Sequence, residues 1–230
     1  MQHRTLAFIG AGNMSRSIIA GLIQAGYPAG RIIAANPSRP KLDELADQFG
    51  IRITQNNAEA AREADVIVLA VKPQLMAAML EALVAELGSL AGKLLISIAA
   101  GIKVERLQEM AGGHSRIIRT MPNTPSLLGL GMTGLYAPSG IEQADRDFAE
   151  QMMQAVGKTL WVAQESGING VIAASGSAPA YFFLFMQGIA EEAEAMGFSP
   201  EQARLLVQQT ALGAAAMVEQ NPDLSLQTLR

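Results

Sequence analysis

The sequence predicts an α/β fold in which a mostly parallel sheet flanked by helices is followed by a smaller all-helical domain. Three observations carry this. Short apolar or β-branched runs alternate with helical patterns as far as residue 162. The run Val66-Ile67-Val68-Leu69-Ala70-Val71 is continuously apolar, as a parallel strand buried on both faces should be. From residue 168 to 217 the pattern is helical without a strand signal. The expected division is a sheet domain over 1–162 and a helical domain over 163–230.

Each element follows in turn. Leu6-Ala7-Phe8-Ile9 reads as a strand, and 14–25 as a helix with Ile18, Ile19, Leu22 and Ile23 on one side. A strand over 31–35 and helices over 40–49 and 58–63 come next. The strand 66–71 leads to a helix over 75–87, a strand over 94–98, a helix over 104–110 and a strand over 116–119. Strands over 133–136 and 159–162 bracket a helix over 142–156. This order implies a parallel sheet with helices on both faces. Beyond it, Ser177 reads as an N-cap and Pro179 as a first-turn residue of a helix that stops at Gly197. Pro200 opens a second helix through 217. The run Tyr181-Phe182-Phe183-Leu184-Phe185-Met186 is apolar all round, so it is expected to be buried on more than one side. A helical domain this small can hardly bury it alone: a partner subunit is the expectation, with ordinary packing against the sheet domain as the alternative.

Composition narrows the function. Half of the 230 residues are hydrophobic and 17% are charged, enough for a sizeable core. Aromatics are only 5%, so aliphatic residues and the 12 Met must build it. A net charge of −4 without a basic cluster disfavours nucleic acid and anionic membranes. The absence of cysteine excludes disulfides, thiolate nucleophiles and Cys-ligated metals. His3 and His114 lie far apart in sequence, so no metal is expected. The N-terminus lacks a signal-peptide pattern, and no apolar run is read as reaching the roughly 20 residues of a membrane span. A cytoplasmic protein without a membrane partner is the expectation.

The loop Gly10-Ala11-Gly12-Asn13-Met14-Ser15 joins the first strand to the first helix. Gly10 permits a tight turn, and Gly12 lets the backbone approach a pyrophosphate. The helix opening at Asn13 and Met14 offers free amides and partial positive charge to phosphates. Ser15 is small enough for close strand–helix packing. The sheet domain is therefore read as Rossmann-type. The second strand ends at Asn36, Ser38 and Arg39, without the acid that binds the ribose of NAD. Arg39 can give charge-assisted bonds to a 2′-phosphate. This favours NADPH, although Asn36 also accommodates NADH. Asn57 is either a ribose or phosphate contact or a helix cap.

Ala70, Val71, Lys72 and Pro73 lie just past a central strand's carboxyl end, where open α/β sheets bind ligands. Their backbone is expected to flank the nicotinamide ribose. Pro73 rigidifies the turn, and Lys72 either positions phosphate or substrate or is structural. Asn123, on the same edge after Met121 and Pro122, either bonds the nicotinamide amide or orients its loop.

Four segments in this order and spacing resemble the pyrroline-5-carboxylate reductase family. They are Gly10-Ala11-Gly12-Asn13-Met14, Ala70-Val71-Lys72-Pro73-Gln74, Arg119-Thr120-Met121-Pro122-Asn123-Thr124-Pro125 and Ser175-Gly176-Ser177-Ala178-Pro179-Ala180-Tyr181. The stretch 209–217 is similar as well. The resemblance implies hydride transfer from NAD(P)H to the C=N carbon of 1-pyrroline-5-carboxylate, giving L-proline. It implies a helical domain that interlocks with a second subunit, in homodimers that can assemble into a larger ring. It places Met121, Ser175, Gly176 and Ser177 near the substrate, with free amides of the turn receiving its carboxylate. No residue reads as a convincing general acid, so the catalytic group is unassigned. Relatives continue past a Leu-Arg pair such as Leu229-Arg230 into a Ser/Thr/Gly-rich loop associated with substrate, and that part is expected to be missing.

Fold alone leaves a non-catalytic NADPH-binding regulatory module open. A β-hydroxyacid dehydrogenase is disfavoured, because the helix 179–196 has no lysine for that family's catalytic role.

Overall fold

The structure, a computed structural model, describes residues 3–230. Packing separates one compact unit ending at Gly176 from a second, Ser177–Arg230.

The first unit is built on an eight-stranded sheet of order β3-β2-β1-β4-β5-β6-β7-β8. The strands are β1 (Leu6–Ile9), β2 (Ile32–Ala35), β3 (Arg52–Thr54), β4 (Val66–Leu69), β5 (Leu94–Ser97), β6 (Ile117–Met121), β7 (Gly131–Tyr136) and β8 (Gly157–Trp161). All neighbours run parallel except β6 and β7, as a mostly parallel sheet requires. The helices are α1 (Asn13–Gln24), α2 (Arg39–Phe49), α3 (Asn57–Glu63), α4 (Met76–Leu87), α5 (Val104–Met110), α6 (Gln143–Gln154) and α7 (Gly167–Val171).

Strand side chains alternate between faces, and each face has its own core. Leu6 and Phe8 join Ile18, Leu22, Leu42 and Met152 on one side. Ala7 and Ile9 join Ala61, Leu80 and Leu107 on the other. This double burial explains the unbroken apolar runs.

Three details depart from the sequence reading. Strand β3 was not expected: it has three residues, starts on exposed Arg52 and carries no apolar run. Strand β4 ends at Leu69 rather than Val71: the Ala70 amide still bonds the Ile9 carbonyl, and the chain bends away at Val71. Strand β7 begins at Gly131, where a Cβ would meet the Ser126 hydroxyl and the Val156 carbonyl.

At α6, Asp145 is fully buried. It accepts two hydrogen bonds from Arg116, through Nε to Oδ2 (2.5 Å) and Nη2 to Oδ1 (2.8 Å), and one from Arg4 (2.7 Å). The trio ties the start of the chain and the base of β6 to α6.

The second unit contains α8 (Ala178–Ala195), α9 (Pro200–Gln220) and α10 (Leu226–Leu229). Ser199 starts α9 with a reciprocal capping box involving Gln202. No residue of α8 is buried. Phe182, Leu184 and Phe185 are 68–71% exposed, so the burial expected for the apolar run is not supplied within this chain. The stretch Gly167–Ala195 is also long and apolar enough to cross a membrane. That corrects the sequence reading, in which the glycines and serines of 167–177 hid the length of the run.

Candidate functional site

Sheet order reverses between β1 and β4: β2 and β3 extend to one side, β4 to β8 to the other. Ligands of open α/β sheets sit in the crevice beyond the strand ends at such a switch point.

The glycine turn stands there. Gly10 has φ +111°, a conformation that favours glycine. Its amide donates to the Ala35 carbonyl (2.8 Å), while the Ala70 amide donates to Ile9 (2.9 Å). The turn is thus held to the ends of both flanking strands. A Cβ at Gly12 would meet nothing within 4 Å: it would project into open space. Asn13 and Met14 form the first residues of α1, which has no side-chain cap and no acid in its first turn. An uncapped N-terminus behind open space fits a pyrophosphate. Ser15 is buried and donates from its hydroxyl to the Gly10 carbonyl (2.6 Å), bracing the turn from below.

Asn36 links the second strand to this loop. Its Oδ1 accepts from the Ala11 amide (3.3 Å), and its Nδ2 donates to the Ser38 carbonyl (3.1 Å). Ser38 precedes α2 and makes no side-chain cap. Arg39 is exposed, with Nε donating to Asp43 Oδ1 at 2.6 Å. An exposed pair of this kind is worth little, so Arg39 is available to a phosphate.

The cap reading of Asn57 is corrected. Asn56 caps α3, accepting from the amides of Ala58 (2.8 Å) and Glu59 (3.1 Å). Asn57 is the first helical residue and is half-buried. Beyond β4, Ala70 and Val71 are half-buried, and Lys72 and Pro73 are exposed. Lys72 precedes a 3₁₀ turn, Pro73–Leu75, and its carbonyl accepts from the Leu75 amide (2.9 Å).

A second cluster forms past β6. Asn123 is buried, and its amide is committed in both directions. Its Nδ2 donates to the Ser175 carbonyl (3.1 Å), and its Oδ1 accepts from the Met132 amide (2.8 Å). Of the two roles read from the sequence, orienting the loop is the one this geometry performs. A Cβ on Gly176 would lie 3.3 Å from Cε of Met121, so the two are in close contact.

The expected capped helix start at Ser177 is corrected. Helix α7 passes into a π-helical turn, Ile172–Gly176, and Ser177 is in the right-handed helical region without a side-chain cap. In a π turn, amides bond to the carbonyl five residues back. The chain thus enters α8 through a π turn rather than through a fresh start capped by Ser177. The Ser175 hydroxyl also bonds inward, to the Val171 carbonyl (2.9 Å).

Sequence reasoning missed Arg119 and Glu165. Arg119 is 4% exposed on β6 and donates from Nη1 to Glu165 Oε1 (2.8 Å). The same oxygen accepts from the Val104 amide (2.8 Å). A signal was present: an arginine interrupting the buried run Ile117-Ile118-Arg119-Thr120. Among the described residues no cluster of potential ligands could hold a metal ion.

The fold and this turn define a dinucleotide-binding protein of the Rossmann class. Two family models match: NADP oxidoreductase, coenzyme F420-dependent, over residues 5–101, and pyrroline-5-carboxylate reductase dimerisation over 165–230. A pyrroline-5-carboxylate reductase of Vibrio alginolyticus is 56% identical over 230 residues, covering 100% of this chain and 84% of that protein. The solved structure of the reductase from Coxiella burnetii has a TM-score of 0.93 at 41% identity, with coverage of 100% and 84%. That of Plasmodium falciparum pyrroline carboxylate reductase with NADP bound has a TM-score of 0.86 at 29% identity, with coverage of 100% and 83%. The chain belongs to the pyrroline-5-carboxylate reductase family.

Proposed function

We propose that this chain reduces 1-pyrroline-5-carboxylate to L-proline, with NADPH as the preferred reductant and NADH accepted. The observation that carries the reading is the uncapped glycine turn at the sheet's switch point, set at the carboxyl edge that also bears the Met121–Asn123 loop.

The residues divide by task. Gly10, Gly12, Asn13 and Met14 hold the pyrophosphate. Asn36, Ser38 and Arg39 take the adenosine ribose and its 2′-phosphate, and Asn57 lies beyond them. Ala70, Val71, Lys72 and Pro73 line the path to the nicotinamide. Met121, Ser175, Gly176 and Ser177 attend the substrate. NADPH, when bound, supplies the hydride. A protonated cyclic imine is already electrophilic, so the chain's contribution is to hold the ring carbon in line and keep it there. Asn123 does this indirectly, by fixing the Met121 loop to the Ser175 carbonyl. The Ser175 hydroxyl is spent on Val171, and protonation by water or another hydroxyl is sufficient for this chemistry.

The exposed apolar face of α8 is assigned to a second copy of the chain in a homodimer that can build a larger ring, and not to a membrane. Two features support this: the dimerisation family model over 165–230, and the three carboxylates Glu191, Glu192 and Glu194 at the end of α8. The setting is cytoplasmic.

The test is loss of reduced-nicotinamide absorbance on adding 1-pyrroline-5-carboxylate, with proline identified as product. Tight NADPH binding without substrate-dependent oxidation would overturn the reductase and leave a binding module.

A further inference from the structure

The segment 165–176 runs from Glu165 through α7 into the π turn, and β6 grips it at both ends. Arg119 and Met121 are two residues apart on one strand, hence on the same face. At the start of the segment, Arg119 Nη1 meets Glu165 Oε1 at 2.8 Å. At its end, Met121 Cε lies close to Gly176, and the neighbouring Asn123 holds the Ser175 carbonyl. Glu165 also accepts from the Val104 amide, the first residue of α5. One carboxylate oxygen thus joins three elements: β6, α5 and the approach to α7.

The π turn is the part most in need of this support. Wide π turns form poorly and concentrate at functional sites. A buried arginine is itself costly without a partner. Ile168 is fully buried between the two grips, so displacement at Glu165 passes along α7 rather than being absorbed by a loop.

We propose that Arg119 and Glu165 are positioning residues for the hydride transfer, their ion pair fixing the segment whose far end sets Ser175–Gly176 against Met121. The proposal rests on the reductase reading above. Neither residue touches substrate or cofactor: they act through the π turn. A displacement of order 1 Å at a reacting geometry can cost about a hundredfold in rate. The dinucleotide turn lies on other strands and should be unaffected.

The experiment compares wild type with E165Q and with the double variant R119M/E165L. E165Q keeps an oxygen acceptor for the Val104 amide and removes the charge facing Arg119. The double variant removes both charges with apolar replacements, which can preserve stability. The expected result is a fall in kcat of about ten- to a hundredfold in both, with the NADPH Kd within twofold of wild type. Deuterium uptake at 171–177 should rise while uptake at 10–16 is unchanged. A merely structural pair would give the double variant normal kcat once its Tm matches wild type, and that result overturns the proposal. So does unchanged uptake at 171–177 in E165Q. If wild type itself fails to oxidise NADPH with the substrate, the reductase reading falls, and the uptake comparison still decides whether the pair fixes the turn.

Discussion

Gly10 and Ala70 approach so closely that a single methyl group on Gly10 would lie 2.6 Å from the Ala70 carbonyl oxygen. Backbone lies on the far side of that contact, so no side chain can swing away to relieve it. The positive φ of Gly10 adds strain for any other residue, of order 1–3 kcal/mol. Gly10→Ala should therefore lower Tm by several degrees and weaken NADPH binding at least tenfold, read by denaturation and by fluorescence titration. Wild-type values for both would mean that the turn is not built on this contact.

Gly12 supplies the contrast. Its φ is −85°, and a Cβ there would meet open space. Gly12→Ala should leave Tm within about 2 °C, because an exposed change free of strain costs little. NADPH affinity should nevertheless fall by tenfold or more, since this is the space proposed for the pyrophosphate. Unchanged affinity in a stable G12A protein would place the phosphates elsewhere.

The pair also shows how far the sequence could be read. Both glycines, the parallel sheet and the helical tail were legible because they rest on local signals: apolar runs, turn residues and a strand–glycine–helix order. Strand β3 was not, because three residues beginning with an arginine carry no periodic pattern. The Arg119–Glu165 pair was not, because its partners are 46 positions apart and a lone arginine does not name its acid. The π turn was hidden for another reason. Ser177 followed by Pro179 is good chemistry for a helix start, and tertiary contacts from Asn123 and Met121 overrode it.

Arg39 tests the cofactor preference. Its bond to Asp43 is exposed on both sides and contributes little to folding. Arg39→Ala should leave Tm unchanged and raise the KM for NADPH about ten- to a hundredfold, the value of a lost charge-assisted hydrogen bond. The KM for NADH should hardly move, because NADH carries no 2′-phosphate. Equal effects on both cofactors, measured by initial rates, would remove Arg39 from the phosphate site.

Asp145 is expected to contribute to acid stability. Burial alone pushes its pKa up, but the hydrogen bonds from Arg116 and Arg4 outweigh it and hold the carboxyl below its ordinary value. A depressed folded-state pKa means the unfolded chain binds the proton more readily. The stabilisation is complete above the unfolded carboxylate value of about 3.9 and is lost as pH falls through the lower folded value. Urea midpoints should thus fall steeply below about pH 4. Asp145→Asn leaves two arginines facing a neutral amide, one at a largely buried position, and should cost about 3–5 kcal/mol at pH 7. Its acid limb should be shallower, because that loss has already occurred. Parallel limbs for the two proteins would show that Asp145 is not the controlling group.

The α8 aromatics decide whether the chain stands alone. Phe185 is 71% exposed and Phe182 68%, and both border the apolar groove between α8 and α9. Burying one such ring is worth roughly 1.5–3 kcal/mol. A two-fold dimer counts every contact twice, because the same patch serves both partners. Phe185→Glu would place two carboxylates in an apolar interface built on that groove. Light scattering should show wild type at twice the chain mass or a multiple of it, and the variant shifted towards a single chain. Wild-type Tm should rise with protein concentration, as linkage to assembly requires, while the variant's should not. A variant that keeps the wild-type mass and the same concentration dependence would mean that α8 is covered by something other than a second copy of itself.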